Sequence, residues 1–209
     1  MSVVSTAATL RTMARSPAGN ATLVELKAVD GAYPLYGEVK TEPAGELPSL
    51  LAKRGDAFGV IADSTLLSRL NMKPGERITI GEASFDVRAE LKSEPDGLAN
   101  GIAFGPRLLV NQEALRSTGM VQPGSLVRWL YRLKLPASSD MESAVRNTID
   151  AARAELPGAG WETRSRFNVS PQLERSIEQF TQYLTLVGLA ALLVGGVGIA
   201  NSTKYLLDR

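Results

Sequence analysis

The feature that most constrains this chain is an uncharged, largely apolar segment near its C-terminal end. No Asp, Glu, Lys or Arg occurs in residues 179–203, and the centre of the segment, YLTLVGLAALLVGGVGIA, covers residues 183–200. As a helix rising about 1.5 Å per residue, this centre would span about 27 Å, close to the roughly 30 Å hydrocarbon core of a bilayer. A core helix of a soluble protein is usually shorter and has one polar face. We therefore expect a transmembrane helix over residues 183–206.

The small residues of this segment have the spacing of a helix-packing face. They recur every three or four residues, and they are Gly188, Ala191, Gly195, Gly198 and Ser202. Small residues let helix backbones approach closely in lipid. The pattern predicts contact with other transmembrane helices. A purely compositional origin is the alternative, because Gly and Ala are common in spanning helices.

The residues before this segment are predicted to form a stalk. Ser170 and Pro171 are suited to the N-cap and to the first position of a helix. No helix-breaking residue follows before the glycines of the apolar segment. One helix over residues 171–206 would be about 54 Å long, which exceeds the thickness of a bilayer. We expect residues 170–182 to project from the membrane as a stalk that can transmit movement.

The charges around the segment predict its orientation. Lys204 and Arg209 follow it, against Asp208, so the positive-inside rule places the C-terminal side in the cytoplasm and residues 1 to about 178 outside. Residues 1–19 contain no apolar stretch long enough for a signal peptide or a first span. Two explanations stay open: the chain is a fragment of a longer membrane protein, or the span is a tail anchor for a cytoplasmic domain.

The composition excludes several kinds of chemistry. The chain has no Cys and no His, which excludes zinc sites built from these ligands, Cys nucleophiles and Ser-His-Asp hydrolysis. A net charge of +1 lacks the excess of positive charge that is typical of nucleic-acid-binding proteins. The glycines at residues 195–198 lack the Lys-Ser/Thr pair that follows in a P-loop. We expect no catalytic, cofactor-binding or metal site, no cofactor, and no enzymatic activity.

The region ahead of the stalk is predicted to alternate between short strands and helices. Strands are predicted over residues 21–29, 59–61, 77–80, 84–91, 107–110, 125–135 and 161–167. Asp63 or Ser64 should cap a helix ending at Leu70, and Asn111 should cap a second one. A capping box from Ser139 to Glu142 should open a longer helix that ends near Glu155.

Two of these elements have clearly two-sided patterns. In residues 125–135, the apolar side chains expected to be buried are Trp129, Tyr131, Leu133 and Leu135. The cations Arg128, Arg132 and Lys134 are expected to form a solvated face, or a contact surface for a partner or lipid headgroups. The helix of residues 141–155 should turn Met141, Val145, Ile149, Ala152 and Leu156 towards the core.

This order of elements predicts an α+β fold. We expect residues 1–169 to form a mixed domain, in which residues 58–92 are a small β-rich subdomain and residues 105–167 a β-α-β subdomain. The stalk and transmembrane helix follow.

The whole arrangement resembles the FtsX/MacB-like permeases of type VII ABC transporters. The stretch LVGLAALLVGGVGIANS is similar to their second transmembrane helix, and the two subdomains look like those of their extracytoplasmic domain. The stretches AVDGAYPLYGEV (residues 28–39) and GPRLLVNQEAL (residues 105–115) look most like the ten-span, YbbP-type permeases.

The resemblance implies a permease component, or a fragment of one, in the cell (inner) membrane. Its implied partners are a cytoplasmic ABC ATPase subunit, other transmembrane helices of the same permease or a second permease copy, and the membrane, but not nucleic acid. ATP hydrolysis would move the extracytoplasmic domain (mechanotransmission) to export or extract a lipid, lipoprotein or peptide. The first span, the third and fourth spans and the helix that contacts the ATPase are expected outside residues 1–209.

Two other functions stay open. One is a membrane-anchored binding or scaffold protein that acts alone. The other is a membrane-tethered enzyme that uses carboxylates, Ser or Lys. A neighbouring gene for a P-loop ATPase would favour the permease.

Overall fold

The computed structural model describes residues 2–96, 105–165, 179–192 and 195. The chain divides into two compact units, residues 1–136 and residues 137–209. The first unit holds a sheet with three short helices, and the second holds a longer helix and the helical residues 179–192.

The elements follow one another in this order along the chain: β1 (Val3–Arg15), β2 (Ala21–Val29), β3 (Lys40–Glu42), α1 (Leu47–Leu51), β4 (Lys53–Arg54), β5 (Ala57–Asp63), α2 (Ser64–Leu70), β6 (Arg77–Ile80), β7 (Ala83–Ser93), β8 (Arg107–Asn111), α3 (Gln112–Ser117), β9 (Arg128–Lys134) and α4 (Met141–Glu155). The predicted bounds of β2 and β6 are confirmed, and β5, β7, β8 and β9 overlap their predicted ranges.

The strands of the first unit form one mixed sheet. Its order is β3-β7-β6-β1-β2-β8-β5-β4, and β5 also pairs with β7. The six strands from β7 through β6, β1, β2 and β8 to β5 therefore form a closed ring. β9 joins the sheet through β1, antiparallel, from Val3↔Lys134 to Thr9↔Arg128.

The ring has an apolar core on one side of its strands and a smaller apolar cluster on the other. All six ring strands contribute to the larger cluster, which includes the fully buried Leu26, Ile78, Phe85 and Leu108, and α2 and α3 pack against it. The smaller cluster includes Ile61 and Leu109 and is covered by α1 and Tyr33. Alternate side chains of one strand thus reach two different buried regions.

The predicted local signals of the first unit are confirmed. The Asp63 carboxylate accepts a hydrogen bond from the Thr65 amide at 2.7 Å and caps α2. The Asn111 side chain accepts from the Ala114 amide at 2.7 Å and caps α3. The two strands predicted over residues 77–80 and 84–91 are β6 and β7, and they form a hairpin in which Ile80 pairs with Ala83.

Two predictions for the sheet were incomplete or wrong. Residues 3–15 were not predicted as a strand, but β1 pairs with β2, β6 and β9. On β9, the apolar side chains expected to be buried are about half exposed: Trp129 is 45%, Tyr131 54% and Leu133 50% exposed. They point to the same face as Ala8, which is fully buried. The core-facing side of β9 thus lies at the margin of the apolar core, where few side chains cover it.

The second unit contains α4 at its predicted place, with a different cap. The Asp140 carboxylate accepts from the Ser143 amide at 3.0 Å, so Asp140 is the N-cap and the capping box from Ser139 is wrong. None of the residues of α4 is buried, and Leu156, expected in the core, is 50% exposed. Residues 161–164 are not a strand, and residues 166–167 of that predicted strand lie outside the described residues.

Part of the predicted stalk and span is described. Residues 179–192 are helical and exposed, including Phe180 at 68%, Leu186 at 66% and Leu192 at 76%. The rest of the helix expected over residues 171–206 lies outside the described residues, except residue 195, which is helical. Among the described residues, no helix is both long enough and apolar enough to cross a membrane.

Candidate functional site

A cluster of buried charged side chains lies in the first unit, and we call it the ion cluster. Its members come from β2, β8, β9, the loop after β2 and the segment after β7: Glu25, Lys27, Tyr33, Glu94, Asp96, Arg107 and Arg132. Lys27 is fully buried, and Asp96 and Arg107 are also buried. Such an arrangement is uncommon, because charged side chains are almost never fully buried unless they are paired.

The position of β2 in the sheet explains why Lys27 is buried. Lys27 lies opposite Thr9 of β1 and Leu109 of β8, so strands flank it on both sides. The Tyr33 side chain and the segment that carries Glu94 and Asp96 approach it from outside the sheet. A position that alternation alone would place on a solvated face is thereby closed off from water.

The Lys27 ammonium is the centre of the ion cluster. Its Nζ donates to Tyr33 Oη at 2.9 Å, to Glu94 Oε2 at 3.0 Å and to both carboxylate oxygens of Asp96 at 2.8 Å. The same nitrogen lies 4.4 Å from the centre of the Tyr33 ring. The ammonium therefore exchanges its water shell for acceptors supplied by two other segments of the chain.

Asp96 connects Lys27 to two further elements. Its Oδ1 accepts a hydrogen bond from Tyr33 Oη at 2.5 Å, and its Oδ2 lies 2.5 Å from Arg132 Nη1 on β9. Glu94 forms an ion pair with Arg107, and Arg107 Nη2 donates to Glu25 Oε1 at 3.1 Å. Three cations thus face three carboxylates, which makes the cluster neutral as a whole.

Burial and pairing shift the pKa values of three groups. Burial lowers the pKa of Lys27 to about 8, against the opposing pull of Asp96. Burial and the hydrogen bond with Asp96 raise the pKa of Tyr33 far above its usual range. Burial alone would raise the pKa of Asp96, but the hydrogen bonds from Lys27 and Tyr33 outweigh it, so that pKa is lowered. At neutral pH the cluster therefore contains an ammonium, a neutral phenol and a carboxylate.

The lowered pKa of Lys27 predicts an unusual pH dependence of stability. From about pH 8 to the ordinary lysine value of 10.5, the folded chain carries neutral Lys27 while the unfolded chain still binds the proton. Because the unfolded state then binds more protons, the contribution of Lys27 to the free energy of unfolding rises with pH in this window. Above pH 10 the raised pKa of Tyr33 acts in the opposite direction.

We expect the difference in unfolding free energy between the wild-type chain and Lys27→Met to grow by about 2 kcal/mol between pH 8 and pH 9.5. Urea denaturation of both proteins at several pH values measures it. Taking the difference removes the titration of the groups that lie away from Lys27 and are the same in both proteins. A difference that is flat or falls over this interval would show that Lys27 keeps its proton in the folded state.

An open groove adjoins the ion cluster. It has a volume of about 490 Å³, and its lining includes Val29, Asp30, Leu47, Leu51 and Tyr33. Small-molecule sites commonly have about 300–1,000 Å³ and an apolar lining with a few polar groups. Tyr33 belongs to both the groove and the cluster, so an occupant of the groove would touch a side chain that Lys27 and Asp96 hold in place.

The site predicted from the sequence lies elsewhere. Gly188, Ala191 and Gly195 are described and exposed, and a Cβ atom built on Gly188 or Gly195 would meet no atom within 4 Å. Gly198 and Ser202 lie outside the described residues. The helix-packing role of this face stays a prediction. Within the part of the chain that is described, no group of three or more Asp or Glu side chains is arranged to hold a metal ion.

The ion cluster itself was not predicted. In the sequence, Glu25 and Lys27 look like the polar face of an alternating strand, and Arg132 was expected to be solvated. The Arg132 expectation is wrong, since this side chain is 31% exposed and pairs with Asp96. The contacts join residues as far as 82 positions apart, as with Glu25 and Arg107, which no local pattern reveals.

Comparison with known proteins finds that the chain is similar in sequence to an ABC transporter permease. Over 183 residues it is 32% identical to the uncharacterized ABC transporter permease YbbP of Escherichia coli (strain K12). The match covers 88% of this chain and 21% of the permease, so the chain spans about a fifth of the length of this curated relative. No family model matches the chain.

Solved structures show a similar fold. The periplasmic region of MacB from Actinobacillus actinomycetemcomitans has a TM-score of 0.51 at 11% identity, over 73% of this chain and 66% of that one. The extracellular domain of the noncanonic ABC-type transporter YknZ from Gram-positive bacteria has a TM-score of 0.49 at 13% identity, over 71% of this chain and 75% of that one. The MacB match confirms the predicted α+β fold, and the sequence match to YbbP confirms the predicted resemblance to an ABC transporter permease. In sequence this chain is similar to a part of an ABC transporter permease, and in fold it is similar to the periplasmic region of MacB.

Proposed function

We propose that residues 1 to about 178 lie outside the cytoplasm and are moved by ATP hydrolysis in a cytoplasmic ABC ATPase subunit. The observation that carries this proposal is the 32% identity to an ABC transporter permease over 88% of the chain. The helical residues 179–192 support it, because their exposed apolar side chains suit a lipid or helix-packed environment better than water. The proposed location is the cell (inner) membrane.

The described residues suit a mechanical role. The closed ring of six strands and its buried core make the first unit resistant to deformation. The ion cluster adds contacts between strands and loops that are far apart in the sequence. A domain of this kind can be displaced as a body, which is what mechanotransmission requires. Its cargo would be a lipid, a lipoprotein or a peptide that is exported or extracted.

We propose no catalytic activity for this chain. The polar groups of the ion cluster are engaged with one another: Asp96 accepts from Lys27, Tyr33 and Arg132, and Glu94 pairs with Lys27 and Arg107. A side chain that acts as a general base or nucleophile must be able to reach a substrate.

The partners that we propose come from the similarity to a permease. They are the ATPase, other transmembrane helices of the permease or a second permease copy, and the membrane.

Purification of the full-length protein from membranes in mild detergent tests this function. We expect an ABC-type ATPase to co-purify in a fixed ratio, and its ATP hydrolysis rate to change when the permease is removed. A protein that purifies alone and has no effect on any ATPase would contradict the proposal. That result would favour a membrane-anchored binding or scaffold protein.

A further inference from the structure

β9 is held in the sheet by little apolar contact. Trp129, Tyr131 and Leu133 on its core side are each about half exposed. The backbone pairing with β1 joins the strand to the sheet over seven residue pairs. An edge position and a poorly buried apolar face are typical of elements that open before the rest of a domain. Side-chain contacts on the other face of β9 therefore have a large share in fixing it.

Arg132 supplies such a contact. Its Nη1 lies 2.5 Å from Asp96 Oδ2, on the face opposite to Trp129 and Tyr131. Asp96 is fixed in turn by Lys27 and Tyr33. Hydrogen bonds between two charged groups are about twice as strong as neutral ones, and partial burial of this pair protects it from salt screening.

The position of β9 in the chain gives this contact its importance. β9 ends at Lys134 and is the last strand of the first unit, which ends at Pro136. The chain therefore continues from β9 into the second unit. If β9 stays paired with the core, a movement of the chain after β9 also moves the core. If β9 separates from the core, that movement is not passed on.

We propose that the ion cluster is a clasp that fixes β9 to the core of the first unit through the Arg132–Asp96 pair. This inference rests on the proposed function, since a clasp matters where motion passes along the chain. While the pair is intact, β9 moves with β1, β2 and the segment of Glu94 and Asp96. When the pair is broken, β9 opens locally and the ring of strands keeps its structure.

Hydrogen–deuterium exchange of the full chain in detergent or nanodiscs tests the clasp. The test variant is Arg132→Gln, and the matched control is Arg128→Gln, on the same face of the same strand and exposed. We expect Arg132→Gln to speed exchange of the β9 amides about tenfold or more, and the control to leave them nearly unchanged. Exchange in β6 and β7 should not change in either variant. Asp96→Asn should also speed exchange in β9, but it is not a matched variant, because it weakens the contacts of Lys27 and Tyr33 as well.

Two results would overturn the clasp. One is equal exchange in β9 for wild type and Arg132→Gln. The other is a similar acceleration in all strands of the first unit, which would make the ion pair a general contribution to stability. Neither result bears on the ATPase co-purification, so failure of the clasp and failure of the proposed function remain distinguishable.

Discussion

Replacing Lys27 with Met is expected to lower the free energy of unfolding of the first unit by about 3–5 kcal/mol at neutral pH. Lys27 is fully buried, and its ammonium donates to Glu94, Asp96 and Tyr33. The Met side chain fills a similar volume, so the main loss is that of the hydrogen-bond donor that serves Tyr33, Glu94 and Asp96. Each buried oxygen that loses this donor without gaining a water molecule costs about 1–3 kcal/mol.

Urea denaturation of the full chain measures this effect, followed both by far-UV circular dichroism and by the fluorescence of Trp129 in a Trp161→Phe background, because Trp129 lies on β9 and also reports its local opening. Lys92→Met is the matched control. Lys92 also bridges two carboxylates, Glu42 at 2.8 Å and Glu90 at 2.7 Å, but its side chain is 44% exposed. Solvent replaces such contacts, so the control should leave the unfolding midpoint nearly unchanged. Equal stability of the two variants would mean that the ion cluster contributes no more than a surface ion pair.

Gly59→Ala is expected to lower the free energy of unfolding by about 3 kcal/mol, at the upper end of the usual cost of overpacking. A Cβ atom on Gly59 would lie 1.8 Å from the Leu50 carbonyl oxygen and 2.6 Å from Arg88 Nη1. The carbonyl belongs to the backbone of α1, and Arg88 Nη1 donates to it at 3.1 Å and to the Ala52 carbonyl at 2.6 Å. The new methyl group can therefore be accommodated only if α1 moves away from β5.

The same denaturation experiment applies, with Gly31→Ala as the control. A Cβ atom on Gly31 would meet nothing within 4 Å, so that substitution should change the free energy of unfolding by less than about 1 kcal/mol. Because α1 supplies Leu47 and Leu51 to the groove, we expect Gly59→Ala to alter that surface as well. A Gly59→Ala protein as stable as Gly31→Ala would show that α1 does not pack on β5 in this way.

The parts of the fold that rest on local signals could be predicted from the sequence. Asp63 and Asn111 cap α2 and α3 because a short acceptor side chain before an apolar run satisfies free amides. The bounds of β2 follow from alternation of polar and apolar side chains. The fold class and the resemblance to ABC transporter permeases followed from the order of these elements.

The remaining parts depend on contacts between distant segments. β1 was missed because its side chains are mostly small or polar, and its burial comes from pairing with β2, β6 and β9. The ring closes through parallel pairing of β5 and β7, whose register no local motif records. Lys27 is buried for the same reason: the residues that cover and neutralise it come from the loop after β2 and the segment after β7.

The position of the first unit relative to the membrane is the point on which the functional proposal depends. Residues 1–209 contain no Cys, so a single introduced Cys is labelled at one known position and reports on which side of the membrane that position lies. Leu126 is 96% exposed and marks the first unit, and Lys204 marks the far side of the predicted span.

The most direct test is labelling by a membrane-impermeant maleimide in cells whose inner membrane is intact, with the full-length protein freed of other cysteines. The proposal predicts that the Leu126→Cys variant is labelled before lysis and the Lys204→Cys variant only after it. Labelling of Leu126→Cys only after lysis would place the first unit in the cytoplasm and contradict an extracytoplasmic role.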